Sequence, residues 1–317
     1  MNPTFCKLWD KAAISFAAAR APSLDGRNSN LEKAREFLER PDFISSEVET
    51  PRIEFGPKPY FSFPTPRRTA FLENNVVHGR LYKCERKWQE RPTVILLHGW
   101  NDVIDHHWRF PAIAREINYQ GFNAATLEMP YHFQRRPRNL GSWSNFLCPD
   151  ILRTTMAVAQ AIAEIQAFSE WLRQEGCPAV GLWGVSLGAW LAGLGACHDP
   201  RWTCTVLVVP IARLDLVIEK VAFCRHIHAI LKDHSSTIEK LNLINHRPVI
   251  SPSDVLLVEA EHDQFMPRET VEELWRAWDE PAIVRVPEGH ISVVLRRGLS
   301  GQIIRWMKPR LREPVAK

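Results

Sequence analysis

The sequence predicts an α/β fold with a mostly parallel central sheet flanked by helices, and three observations predict it. Short continuous apolar runs recur at 93–97, 179–182, 203–209 and 255–258, each with the length and composition of a strand buried on both faces. Between them lie segments with apolar residues at helical spacing, at 105–120, 151–174 and 189–194, so strand and helix alternate along the chain. At the joint between one strand and one helix stands Gly184-Val185-Ser186-Leu187-Gly188, a G-x-S-x-G pattern.

That joint is where chemistry is expected. A serine hydroxyl attacks a carbonyl only if it projects clear of its own backbone, and the tight turn that achieves this leaves no room for Cβ atoms two residues to either side. Gly184 and Gly188 occupy those positions, which makes Ser186 the candidate nucleophile. Two plainer readings compete. The pattern also arises by chance, and the uncharged stretch 179–197 has the length of a membrane span. Against a span stand Gly181, Gly184, Gly188, Gly193 and Gly195, and no comparable apolar segment occurs elsewhere.

Composition narrows the classes. The 317 residues, 45% of them hydrophobic, supply the core of one large α/β domain, or of a domain with a small cap. A net charge of +4 from 40 basic and 36 acidic residues is too balanced to imply nucleic acid. Basic residues gather locally at Arg135-Arg136-Pro137-Arg138 and at Arg296-Arg297, where an anion contact remains open. Seven scattered cysteines, odd in number and without a C-x-x-C pair, favour reduced thiols and a cytoplasmic setting. The small apolar run 12–19 follows Lys7 and Lys11 as in a signal peptide, but it is short and Asp10 lies before it.

Taken in order, residues 1–50 read as an N-terminal helical arm, with an amphipathic stretch at 31–38 stopped by Pro41. It is expected to be a packing arm or partner surface without chemistry. Residues 51–317 form the main domain. The runs 53–55, 60–63 and 76–82 suit antiparallel edge strands, with His78 on one of them. The strand 93–97 runs into His98-Gly99-Trp100-Asn101-Asp102, where the Trp100 N–H is a candidate oxyanion donor beside the Leu187 N–H, and His98 a brace for the loop.

A strand at 122–127 leads to Glu128-Met129-Pro130-Tyr131-His132, and 133–148 reads as a loop over the site. Its Arg135 and Arg136 are candidates for an anionic headgroup or carboxylate, with solvated or ion-paired cations as the competing reading. Trp143 and Phe146, with Trp100 and Phe133, are candidates for an apolar substrate wall or for simple packing. Segment 213–248 is expected to be a helical cap insertion. It holds His226, His228 and His234, but histidines two apart on a helix face different directions, so no metal site is expected.

The strand 255–258 leads to Glu261, His262 and Asp263, and the strand 282–286 leads to Glu288-Gly289-His290 before a closing helix at 291–311. An acid after one strand and a histidine after the next complete the order Ser186, Asp263, His290. Glu261 is the runner-up acid, and His262 is read as a loop brace.

Over residues 76–310 the chain resembles the α/β-hydrolase superfamily, and more closely the α/β-hydrolase domain-containing 18 family. The resemblance is carried by Asp105-His106-His107-Trp108-Arg109, Leu127-Glu128-Met129-Pro130-Tyr131 with Arg136-Pro137, Gly184-Val185-Ser186-Leu187-Gly188, Asp263 with Pro267-Arg268, and Glu288-Gly289-His290-Ile291-Ser292. It departs from the family pattern at His98-Gly99-Trp100, beside the oxyanion site. The resemblance implies a serine hydrolase with Ser186 as nucleophile, Asp263 as acid and His290 as base, acting on acyl esters and extending to phospholipids, although loops carry specificity. No metal or organic cofactor is required. The implied partner is a small-molecule or lipid ester, without nucleic acid or an integral membrane segment, and with peripheral membrane contact open. An acyltransferase, a serine peptidase or a non-catalytic binding protein of this fold are the alternatives.

Overall fold

A computed structural model describes residues 2–21, 30–45, 47–140 and 146–312. The strands are β1 Glu54–Phe55, β2 Tyr60–Pro64, β3 Val76–Tyr82, β4 Thr93–Leu97, β5 Asn123–Leu127, β6 Val180–Val185, β7 Cys204–Val208, β8 Val255–Ala260 and β9 Ala282–Val286. Among the described residues they form a nine-stranded sheet in the order β1-β2-β3-β5-β4-β6-β7-β8-β9. The edge β1-β2-β3-β5 is antiparallel, and every pairing from β5 through β9 is parallel.

The helices are α1 Pro3–Arg20, α2 Leu31–Glu39, α3 Phe110–Tyr119, α4 Ile151–Gln174, α5 Leu187–His198, α6 Leu214–Lys220, α7 Arg225–Leu231, α8 Arg268–Ala277 and α9 Leu299–Arg312. They cover both sheet faces, which explains why the central strands read as unbroken apolar runs. Side chains alternate between the two cores with the period of the strand. Ile95, Leu97, Leu182, Leu207 and Leu257 join α2, α4, α5 and the helical segment between β7 and β8. Val94, Leu96, Trp183, Val185, Val206, Val208, Leu256 and Val258 face α3 and α9. Residues 187–197 of α5 are all buried, so this helix has no polar face to pattern.

Local sequence sets the element ends. Asp150 caps α4 by accepting from Arg153 N at 3.2 Å, and Gly176, at φ 107°, ends it. Two expectations are corrected. Helix 105–120 begins as a π-helical turn, Asp105–Arg109, and becomes α-helical only at Phe110, with Pro111 in its first turn, where a missing N–H costs nothing. The closing helix 291–311 is interrupted: Ser292–Leu295 is a separate 3-10 turn, and Gly298, at φ 79°, redirects the chain into α9. The uncharged stretch 179–197 divides into β6 and α5, and no helix of the described residues is long and apolar enough to cross a membrane.

The sheet order reverses at β4: the chain passes from β4 to β5 on one side and returns as β6 on the other. Loops leaving the carboxyl ends of β4 and β6 therefore diverge and open a crevice, the usual ligand position in such sheets. Two glycines differ in how much they tolerate. A Cβ on Gly188 would lie 2.1 Å from the Leu97 carbonyl oxygen, whereas one on Gly193 would meet leucine side chains, Leu243 Cδ atoms at 2.9 and 3.0 Å and Leu207 Cδ1 at 3.3 Å. Gly188→Ala is expected to destabilise by about 3 kcal/mol or more and Gly193→Ala by about 1 kcal/mol, because backbone yields less than a leucine side chain. Urea unfolding midpoints of the two variants check this ordering.

Candidate active site

Ser186 sits between β6 and α5 at φ 53° and ψ −112°, a conformation that costs a non-glycine residue on the order of 1–3 kcal/mol. The surroundings hold it there. Its N–H donates to the Val208 carbonyl at 2.9 Å and its own carbonyl accepts from Trp190 N at 3.0 Å. A Cβ on Gly184 would fall 2.2 Å from the Gly188 carbonyl oxygen, so the two glycines let the turn close on itself. Positive φ also occurs at Asn101 (52°), Tyr131 (63°), Phe133 (46°) and Val209 (45°). Together with Ser186, these lie just beyond the carboxyl ends of β4, β5, β6 and β7, so backbone strain gathers around the crevice.

Two more loops converge on Ser186. His290, after β9, places Nε2 2.9 Å from Ser186 Oγ and Nδ1 2.7 Å from Asp263 Oδ2, after β8. A carboxylate only accepts, so Nδ1 carries the proton and Nε2 is left to accept from the serine hydroxyl. Asp263 is itself fixed, because its Oδ1 accepts from the N–H groups of Phe265 at 2.7 Å and Met266 at 2.8 Å. The Phe265 ring stacks on His290 with centroids 4.5 Å apart. Burial opposes charge on His290, yet the neighbouring carboxylates of Asp263, Asp10 and Asp102 outweigh it and raise the imidazole above its ordinary range. Neither Glu261 nor His262 takes this position; the His262 N–H donates to the Glu288 carbonyl at 2.9 Å, tying the two loops together.

The turn after β4 lies against the serine. A Cβ on Gly99 would be 3.6 Å from Ser186 Cβ and 3.4 Å from Asp102 Oδ2. His98 is buried and holds this turn to the one after β5: Met129 N donates to its Nε2 at 3.0 Å, so Nδ1 must carry the proton that it donates to the Gly99 carbonyl at 2.7 Å. Burial, with His132 and His106 adding to it, holds the His98 imidazole well below the ordinary range, which suits a neutral brace. Leu187 opens α5, where first-turn N–H groups have no partner within the helix. The Trp100 ring packs on Phe223, with centroids 4.4 Å apart.

The residues expected to meet substrate divide. Arg135 is corrected: it is buried, and its guanidinium donates to both oxygens of Glu164 at 2.6 Å and to the carbonyls of Glu128 and Asn74 at 2.7 Å. Glu164 also accepts from Thr65 Oγ1 at 2.6 Å and Gln160 Nε2 at 2.9 Å, so the pair belongs to a buried structural network. Phe146 is corrected too, being fully buried core beside His132. Arg136 is partly exposed and donates to Asn101 Oδ1 at 3.2 Å, next to the turn that approaches Ser186. Trp143 lies outside the described residues.

One residue of the site was not foreseen. Asp10, on α1, is fully buried and accepts from the N–H groups of His290 at 2.7 Å, Ile291 at 3.0 Å and Gln264 at 3.1 Å. The arm expected to carry no chemistry therefore touches both loops that meet at the imidazole. The only sequence signal was a lone acid among alanines and aromatics, which read as a mark against a signal peptide.

With this geometry in view, likeness to known proteins is informative. The model of the family described as alpha/beta hydrolase domain containing 18 matches residues 72–227. Two uncharacterized proteins of Mycobacterium tuberculosis are 29% identical to the chain over 306 residues, covering 87% of it and 70% of each of them. Among solved structures, the acetyl xylan esterase of Paenibacillus sp. R4 superposes with a TM-score of 0.58 at 14% identity, over 92% of this chain and 98% of that one. The Pyrococcus furiosus esterase Pf2001 gives 0.53 at 16% identity, over 83% and 99%. The Pyrococcus horikoshii acylaminoacyl peptidase gives 0.55 at 12% identity, over 86% of this chain and 43% of that one. These structures share the α/β-hydrolase fold with this chain.

Breaking the Arg135–Glu164 pair leaves a buried carboxylate without its cation. Arg135→Met is expected to lower unfolding free energy by about 3–5 kcal/mol. Urea denaturation measures it, and unchanged stability with a raised KM for an anionic ester would return Arg135 to the substrate side.

Proposed function

We propose that this chain, which has the α/β-hydrolase fold, is a serine hydrolase of carboxylic esters. The observation that carries the reading is the unbroken hydrogen-bonded line from Asp263 through His290 to Ser186. In the proposed reaction Ser186 Oγ attacks the acyl carbonyl while His290 Nε2 takes its proton. Asp263 holds the tautomer and stabilises the imidazolium. The N–H groups of Leu187 and Trp100 receive the oxyanion. Collapse expels the alcohol, which leaves with the proton from His290, and water then cleaves the acyl-enzyme by the same exchange in reverse. Every step uses protein groups and water.

The raised proton affinity of His290 suits a base that must form an ion pair with Asp263 in the transition state. An apolar ester, including a lipid acyl ester, is supported by Val103, Ile104 and Trp108, which the segment after β4 presents to solvent at 54%, 53% and 74% exposure. Arg136 is the cation left to meet an acidic headgroup. Seven free cysteines accord with a reducing, cytoplasmic setting. Amide cleavage is the second reading, favoured by the likeness to an acylaminoacyl peptidase. Assays on p-nitrophenyl esters of graded length, lysophospholipids and acylated peptides separate the two.

Ser186→Ala and His290→Ala are each expected to remove nearly all turnover, about 10⁶-fold, and Asp263→Asn about 10⁴-fold through the wrong tautomer. A fluorophosphonate should label Ser186 in the wild type only. Near-normal turnover by His290→Ala would reassign the base. Hydrolysis needs the neutral imidazole and the pKa is raised, so kcat/KM is expected to fall on acidification with a midpoint above the ordinary histidine value of about 6.5. A limb at or below that value in the pH profile contradicts the electrostatics described above.

A further inference from the structure

We propose that Asp10, carried on the N-terminal helix α1, is a positioning residue of the hydrolytic site: its carboxylate clamps the loop bearing His290 to the loop bearing Asp263. The proposal rests on the roles given above to Ser186, Asp263 and His290. Asp10 Oδ2 accepts from His290 N at 2.7 Å and Gln264 N at 3.1 Å, and Oδ1 accepts from Ile291 N at 3.0 Å. One loop supplies two of these donors and the other supplies the third, from positions 280, 281 and 254 residues away in sequence. Burial raises the Asp10 carboxyl above the ordinary carboxylate range, and the three N–H donors, with the nearby His290, oppose that rise by favouring the ionised acid. A buried carboxylate is retained only where such donors replace water.

The rest of the helix–loop contact is shaped around this carboxylate. A Cβ on Gly289 would come 2.8 Å from Asp10 Oδ2 and 3.0 Å from its Oδ1, so the absent side chain makes the room that Asp10 fills. One turn earlier on α1, Cys6 Sγ lies 3.6 Å from Glu288 Oε2 and 3.5 Å from Ser292 Oγ, which docks the same helix face on the same loop. Ser292 Oγ in turn donates to Glu288 Oε2 at 2.9 Å and accepts from Gly289 N at 2.8 Å.

Two consequences follow for the base. Asp10 fixes the backbone of His290 while its ring must reach Ser186 at 2.9 Å and Asp263 at 2.7 Å, a geometry in which a displacement of about 1 Å costs on the order of 100-fold in rate. Its negative charge also adds to that of Asp263 and Asp102, the charged groups that reach the imidazole, and so favours the imidazolium formed during attack.

The test uses the full chain with p-nitrophenyl acetate as probe, competent sites being counted by fluorophosphonate labelling. Asp10→Asn keeps the shape but loses the charge and turns an amide N–H toward one of the N–H donors. It is expected to lower kcat by about 10- to 100-fold with KM changed less than about twofold, and to move the acid limb of kcat/KM to lower pH. Gly289→Ala keeps the carboxylate and displaces it, and is expected to lower kcat in the same way. It decides alone if Asp10→Asn does not fold. Wild-type kcat per labelled site and an unmoved acid limb in the variants, even with a lowered Tm, would make Asp10 merely structural and overturn the proposal. Ser186→Ala runs alongside: if it retains turnover, the hydrolytic reading fails and not the clamp.

Discussion

The start of α5 lies hard against the end of β4, where the Gly188 backbone leaves no room for a single carbon beside the Leu97 carbonyl. That contact fixes the angle between β6 and its helix, and the angle forces Ser186 into its left-handed conformation. It also holds the turn at Gly99 against the serine. The serine and the turn at Gly99 thus meet at one crevice because two backbones touch. The reversal of sheet order at β4 is what leaves that crevice open.

Around this steric frame, burial sorts histidines into opposite roles. His98 and His132 lie among other imidazoles and apolar groups, and burial depresses both, His132 to about 4. They stay neutral, and His98 spends both nitrogens on backbone groups. His290 is equally enclosed, but the carboxylates near it reverse the balance. Desolvation is common to all three; nearby charge decides which of them suits proton transfer.

The loop after β5 depends on a different device. Arg135 and Glu164 anchor it to α4 through a network that includes Thr65, Gln160 and Asn74. The network spans three parts of the chain and leaves Arg136, the next residue, to reach Asn101 beside the crevice. A buried ion pair of this kind contributes less to net stability than to fixing one arrangement of the loop, since both ions lose water on burial.

The sequence by itself determined the elements whose physics is local. Parallel strands covered on both faces announce themselves as apolar runs, and the elbow by the two glycines its sterics demand. The order of Ser186, Asp263 and His290 at three strand ends was legible for the same reason, since each follows directly from a strand. What only the tertiary structure decided were the fates of Arg135 and Asp10. Arg135 stood in a basic cluster resembling an anion site, and Asp10 in an arm without evident chemistry. Their partners, Glu164 for one and the His290 loop for the other, come from distant segments. A charge in a sequence shows which partners it requires but not whether folding will supply them from water, from substrate or from another part of the chain, and that choice is made only when the surfaces close.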